Sequence, residues 1–248
     1  MILLNPSQYN MVLEPLLNVP INTLYPRAVV EKRSVQGQVY VDYINNPQSF
    51  YIIHPCGMSL IFGKPLKRYP DTHKLDEWLL SYPNIEDGIT FFDNFNTTVY
   101  KYTRVHFKFN PDKYVSRRED REKLTIIRID REMFKSLNGP ISPKFYWDNA
   151  EDFFNIGVGF ALIELGVVIA TAFSTSVIDN KIDIGVSVQD IFVEQGFGTL
   201  IADAMIEFCL LNDCEPVCGT FSYNLPAIRV SEKLGFETLE LLPCYGLL

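Results

Sequence analysis

Apolar residues along this chain alternate between a spacing of about two and a spacing of about 3.6, so strands and helices are both expected. NMVLEPLLNV (10–19) and INTLYPRAVVEK (21–32) space their apolar positions as short helices do. QVYVDYI (38–44), SFYIIHP (49–55) and MSLIFG (58–63) are β-branched and aromatic runs, separated by NNPQ and CG. They predict three strands joined by turns. HKLDEWLLSYP (73–83) reads as a helix ended by Pro83. GITFFDN (88–94) predicts a strand, and TVYKYTRVHFKF (98–109) an extended or mixed segment with Val99, Tyr102, Val105, Phe107 and Phe109 as its apolar members.

The second half is patterned more sharply. KLTIIRID (123–130) predicts a strand, and REMFKSLN (131–138) and PKFYWDNAEDFFN (143–155) predict helices, Pro143 suiting a first helical turn. GVGFALIELGVVIATAF (157–173) is as long as a short membrane span. Glu164 in its middle and the turn residues Glu-Leu-Gly at 164–166 make it two strands of a hairpin instead. KIDIGVSV (181–188) adds a third strand, with Ile182, Ile184, Val186 and Val188 on one face. GTLIADAMIEFCLLN (198–212) is a helix, PVCGTFS (216–222) a strand, LPAIRVSEKLG (225–235) a helix ended by Gly235, and FETLELLPCYGLL closes with strand. Strand, helix, strand implies a parallel crossover beside the three-strand meander.

Between the halves lies SRREDREK (116–123), almost wholly charged, which marks a boundary between an N-terminal half, 1–118, and a C-terminal half, 119–248. Residues 1–120 carry 13 Lys+Arg against 12 Asp+Glu, and residues 121–248 carry 9 against 18, so the acidity sits in the second half. A net charge of −8 argues against a nucleic-acid partner. Five cysteines, Cys56, Cys209, Cys214, Cys218 and Cys244, are an odd number without C-x-x-C spacing. Neither a disulfide framework nor a metal site is expected, and reduced thiols fit a cytoplasmic protein. The N-terminal residues MILLNPSQYN carry no basic region before an apolar run, so no signal peptide is expected.

Chemistry concentrates at VQDIFVEQGFGT (188–199), a strand-to-helix loop with glycines one residue apart. Backbone N–H groups at a helix start, with the positive end of the dipole, suit an anion, and glycine lets it come close. G-x-x-x-x-G-K-[ST] and G-x-G-x-x-G are both absent. All three histidines, His54, His73 and His106, lie in the first half, so the second half holds no Ser/His/Asp or Cys/His arrangement.

This loop, its place after a third meander strand, and NLPAIRVSEKLGF (224–236) together resemble the GNAT acetyltransferase superfamily. The resemblance covers 121–248, and the whole chain is similar to a subgroup with an extra N-terminal half. It implies a mixed α/β fold, a mixed sheet flanked by helices; the helix, strands, helix, strand order of the N-terminal half echoes that fold, so this half is expected to be a degenerate copy, and without a G-x-G loop it holds no recognisable site. The resemblance implies an acetyl-CoA-dependent N-acyltransferase that acts on a small amine by direct transfer. No metal and no membrane partner are implied. Carried over to this chain, Val186, Ser187 and Val188 meet the pantetheine amides, and the loop Val193, Glu194, Gln195, Gly196, Phe197, Gly198 and Thr199 cradles the pyrophosphate. The amides of Glu194 through Thr199 do the binding. Asn224 contacts the cofactor, caps the next helix, or does both. Lys233, Gly235 and Phe236 match the structural end of that helix.

Three positions depart from the family. Val193 stands where arginine is usual, which removes a cation. Glu194 stands where glycine is usual, and a carboxylate beside phosphate costs about 1 kcal/mol unless it turns to solvent. Ser231 stands where a tyrosine protonates the leaving thiolate, and Tyr223 is the alternative hydroxyl. These departures support a second expectation, a non-catalytic module of the same fold. Asp183 and Asp190 are the nearest carboxylates, read as solvated, and Cys218 is read as a buried thiol.

Overall fold

The computed structural model describes residues 1–19, 22–32, 35–63, 77–82, 98–121, 124–138 and 141–247. The chain divides into two compact units, one of residues 1–105 with 240–248, the other of residues 106–239. No helix among the described residues is long and apolar enough to cross a membrane.

The second unit is built on a five-stranded sheet. Its strands are β7 (Thr125–Arg128), β8 (Gly159–Glu164), β9 (Val167–Ile178), β10 (Lys181–Val188) and β11 (Glu215–Val217). The first four pair antiparallel in chain order, and β10 pairs with β11 in parallel. The run 157–173 therefore forms a hairpin, turning at Leu165 and Gly166, both at positive φ as a tight two-residue turn requires. Alternation along the strands sends side chains to two covers. Leu162, Ala170, Ala172 and Ile182 pack with Ile201, Met205 and Cys209 of the long helix Phe197–Leu211. Ala161 and Phe173 pack with Phe134 and Phe153 from the helices Arg131–Ser136 and Ala150–Ile156, and with Trp147. Trp147 Nε1 donates to Ser174 O at 2.8 Å, which satisfies its buried N–H.

The first unit repeats that order. β1 (Ile2–Leu3) is followed by the helices Leu13–Leu17 and Leu24–Val30. Then come β2 (Gln38–Val41), β3 (Phe50–Ile53) and β4 (Met58–Phe62), paired antiparallel in sequence from β1. β4 pairs in parallel with β5 (Glu77–Tyr82), just as β10 pairs with β11. One strand, two helices, a three-strand meander and a parallel fifth strand thus occur twice. The last strand of the chain, β13 (Phe236–Leu247), ends in this unit, antiparallel to β5. Tyr40, Tyr51, Ile61, Leu79 and Tyr245 form a cluster on one sheet face, and every residue of Leu24–Val30 is buried.

Four expectations change. HKLDEWLLSYP is not a helix where it is described: Glu77–Tyr82 is a strand between β4 and β13, with Leu79 and Leu80 both wholly buried. Adjacent buried leucines on opposite faces suit a strand covered on both sides, whereas a one-sided helix would expose one of them. PKFYWDNAEDFFN forms two pieces, a 3-10 turn Pro143–Phe145 and the helix from Ala150, because Asn149 caps a fresh start by accepting from Asp152 N at 2.9 Å. PVCGTFS breaks at Cys218 into β11 and β12 (Gly219–Phe221). TVYKYTRVHFKF is one regular strand, β6 (Val99–Phe109). The strand expected at 88–94 lies outside the described residues.

Candidate functional site

The break at Cys218 shapes the site. β10 and β11 pair only from Lys181↔Glu215 to Asp183↔Val217. Beyond that, Cys218 O accepts from Phe107 N at 3.3 Å, so this chain segment has left β10 for another neighbour. β10 runs on to Val188, paired on its other edge alone: Val186↔Ala172, Ser187↔Thr171 and Val188↔Ala170. A wedge opens there between two strands that began side by side, and Val186, Ser187 and Val188 line its β10 edge.

The loop leaves the end of that edge. Gln189 N donates to Ile169 O at 2.9 Å, and Gln189 Nε2 donates to Val168 O, which anchors the strand end. A 3-10 turn, Asp190–Phe192, follows, and Gly196 then stands as N-cap of the long helix at φ +90°. Val193 N donates to Asp190 O at 3.3 Å and Thr199 N to Gly196 O at 3.0 Å, so both amides are engaged within the chain. The amides of Glu194, Gln195, Gly196, Phe197 and Gly198 have no such bond among the described residues. Five donors therefore gather at the start of a 15-residue helix with no acidic residue in its first turn. A Cβ on Gly196 would meet nothing within 4 Å, and one on Gly198 would come no closer than 3.4 Å to Val188. Protein packing thus leaves the space over Gly196 open, as an approaching ligand needs, while Gly198 sits against Val188 and Val230.

The second helix, Leu225–Lys233, closes the site. Asn224 is its N-cap, with Oδ1 accepting from Ala227 N at 3.2 Å. Ser231 Oγ lies 3.6 Å from Cys218 Sγ, so the hydroxyl faces the break between β11 and β12. Tyr223 is 59% exposed and stacks on Phe221, ring centres 5.4 Å apart. The two candidate hydroxyls thus have different settings, one against a thiol and one on the surface. Asp183 Oδ2 accepts from Thr175 Oγ1 at 2.9 Å and so serves the β9–β10 ladder, while Asp190 is exposed in the 3-10 turn.

Arg229 was not among the residues singled out by the sequence. Its Nη2 donates to Glu194 Oε1 at 3.1 Å, across 35 residues of chain. The carboxylate that looked unfavourable beside an anion is therefore met by a guanidinium from the second helix. No spacing rule links positions so far apart, and only the packing of the helix against the loop brings them together.

A family model described as GNAT acetyltransferase matches residues 14–245. None of the curated proteins compared by sequence matches the chain. Among solved structures, a GCN5-related N-acetyltransferase-like protein from Streptococcus suis is similar, with TM-score 0.77 at 19% identity, covering 98% of this chain and 99% of its own. A tandem GNAT protein from the clavulanic acid biosynthesis pathway gives 0.61 at 9%, covering 99% and 97%. A GCN5-related N-acetyltransferase from Kribbella flavida gives 0.56 at 13%, covering 98% and 95%. At these identities the likeness is one of fold, and it extends across both units.

Proposed function

Since the chain belongs to the GNAT acetyltransferase family and is thereby an acyltransferase in general terms, we propose that it passes an acetyl group from acetyl-CoA directly to the nitrogen of a small amine. The observation that carries this is the set of five unspent amides, Glu194 to Gly198, at the end of a strand edge that opens into a wedge. The donors fit a pyrophosphate and the β10 edge at Val186, Ser187 and Val188 fits a chain of amides.

Acetyl-CoA supplies the thioester whose acetyl group moves to the amine while the thiolate departs. The chain's contribution is positioning, which brings the two reactants into one orientation, and the strand edge provides backbone donors for the carbonyl oxygen. The departing sulfur needs a proton, and the hydroxyls at hand are Ser231, backed by the Cys218 thiol, and Tyr223. The amine's own proton leaves through water. Calorimetry with acetyl-CoA tests the cofactor, and free-thiol release across a panel of small primary amines tests the transfer. Binding in the micromolar range with release for at least one amine is expected. No binding by high micromolar concentration sinks the cofactor assignment; binding without release from any amine sinks the transfer.

A further inference from the structure

The loop lacks a cation of its own, yet the structure brings one to it. Arg229 Nη2 and Glu194 Oε1 are 3.1 Å apart, and the amide of that same Glu194 is the first of the five without a backbone partner. The guanidinium is therefore held within one residue's reach of the anion cradle. Both side chains are more than half exposed, 53% and 70%. An ion pair so well solvated adds little to stability, commonly under about 1 kcal/mol, so folding does not account for it. Glu194 also holds φ +65°, a backbone state that glycine occupies at no steric cost. Its side chain points at the second helix from a strained position, and the ion pair is what that position yields.

We infer that Arg229 is the phosphate-binding cation of this loop, and that Glu194 is a positioning residue that aims it. The inference rests on the acetyl-CoA reading and names a residue that reading does not supply. Guanidinium has five N–H donors in a planar fork and can bond a carboxylate and a phosphate oxygen at once. Arg229 thus does two things when an anion sits on the amides. It donates to the phosphate and it neutralises the carboxylate beside it. The arginine missing at Val193 is replaced from another element, and the replacement explains why a glutamate is tolerated at 194.

The test is calorimetry with two probes, CoA and inorganic pyrophosphate, on the full chain and on R229Q, E194Q and the double variant. Both residues are exposed, and unchanged melting curves check that the variants fold. R229Q is expected to weaken both probes by about tenfold or more, as loss of a charge-assisted bond does. The double variant is expected to bind both at least about threefold tighter than R229Q, because the uncompensated carboxylate is gone. R229Q binding like the parent chain overturns the inference. E194Q alone is expected to weaken both probes, because the guanidinium loses the partner that aims it; E194Q binding as tightly as the parent chain overturns the positioning role of Glu194, and a double variant no better than R229Q overturns the repulsion assigned to its carboxylate. Pyrophosphate binding without CoA binding sinks the acetyl-CoA reading and leaves Arg229 standing, and binding of neither probe to the parent chain sinks both.

Discussion

Glycines around the loop have different physical reasons, and substitution separates them. Gly235 holds φ +85°, and a Cβ there would lie 2.9 Å from Asn110 O and 2.9 Å from Tyr114 N. Both obstacles are backbone, fixed in part because Asn110 N donates to Gly235 O at 2.8 Å. Gly235→Ala is expected to cost about 2–4 kcal/mol, the left-handed strain plus an overlap that cannot swing away. Gly198 has ordinary helical backbone, and its Cβ would make only van der Waals contact with Val188 and Val230. Gly198→Ala is expected to leave stability unchanged or raise it by up to about 1 kcal/mol. Urea unfolding of the two variants checks the pair; equal losses refute the steric account. The family signature K-x-G-F therefore marks a packing requirement, while Gly196 has open space beside it.

At the scale of elements, the sequence was legible wherever one residue's neighbours along the chain decide its structure. The β8–β9–β10 meander and the helices at 197–211 and 225–233 follow from period, turn residues and caps. The segment Glu77–Tyr82 did not, because its apolar run gains strand geometry only from β4 and β13, the latter over 160 residues away. The break at Cys218 was illegible for the same reason: a backbone bond from Phe107 decides it. The Glu194–Arg229 pair and the clasp at Asp203 likewise depend on packing between elements. Asp203 is wholly buried in the middle of the long helix. Its Oδ1 accepts from Tyr114 Oη at 2.7 Å and its Oδ2 from Arg117 N at 3.1 Å. Burial and the bond to Asp203 push the Tyr114 phenol well above its ordinary pKa, so it stays a donor at every working pH. The clasp fastens the segment before the short helix Arg118–Arg121 to the helix that begins at the loop. Asp203→Ala strands both donors and is expected to cost about 3 kcal/mol or more, and Tyr114→Phe about 1.5–3 kcal/mol. A double-mutant cycle in urea checks the coupling; additive losses would mean that the clasp is not one unit.

At the scale of the whole molecule, the two units share one order of elements and differ in what that order carries. Unit 106–239 holds the loop with its unpartnered amides and the buried His106, and the other unit holds the buried His54. His54 is 1% exposed at the end of β3, with Nδ1 accepting from Cys56 N at 3.1 Å and its ring edge-on to Tyr25 at 6.5 Å. Burial lowers its pKa to about 4 from the ordinary 6.5. The folded chain therefore resists a proton that the unfolded chain accepts. Above pH 6.5 the imidazole is neutral in both states, and folding carries no penalty from it. Between about 6.5 and 4 the unfolded state binds more protons, so stability falls as pH drops. A shift from 6.5 to about 4 corresponds to a loss of about 3 kcal/mol across that window. Carboxylates also titrate in acid, so the slope of a variant is the reference. Urea unfolding at half-unit steps from pH 7 to pH 4 is expected to give His54→Gln a lower stability at pH 7, through the lost backbone bond, and a flatter fall below pH 6.5. Parallel slopes for the two chains would show that His54 is not the group whose protonation loosens the first unit.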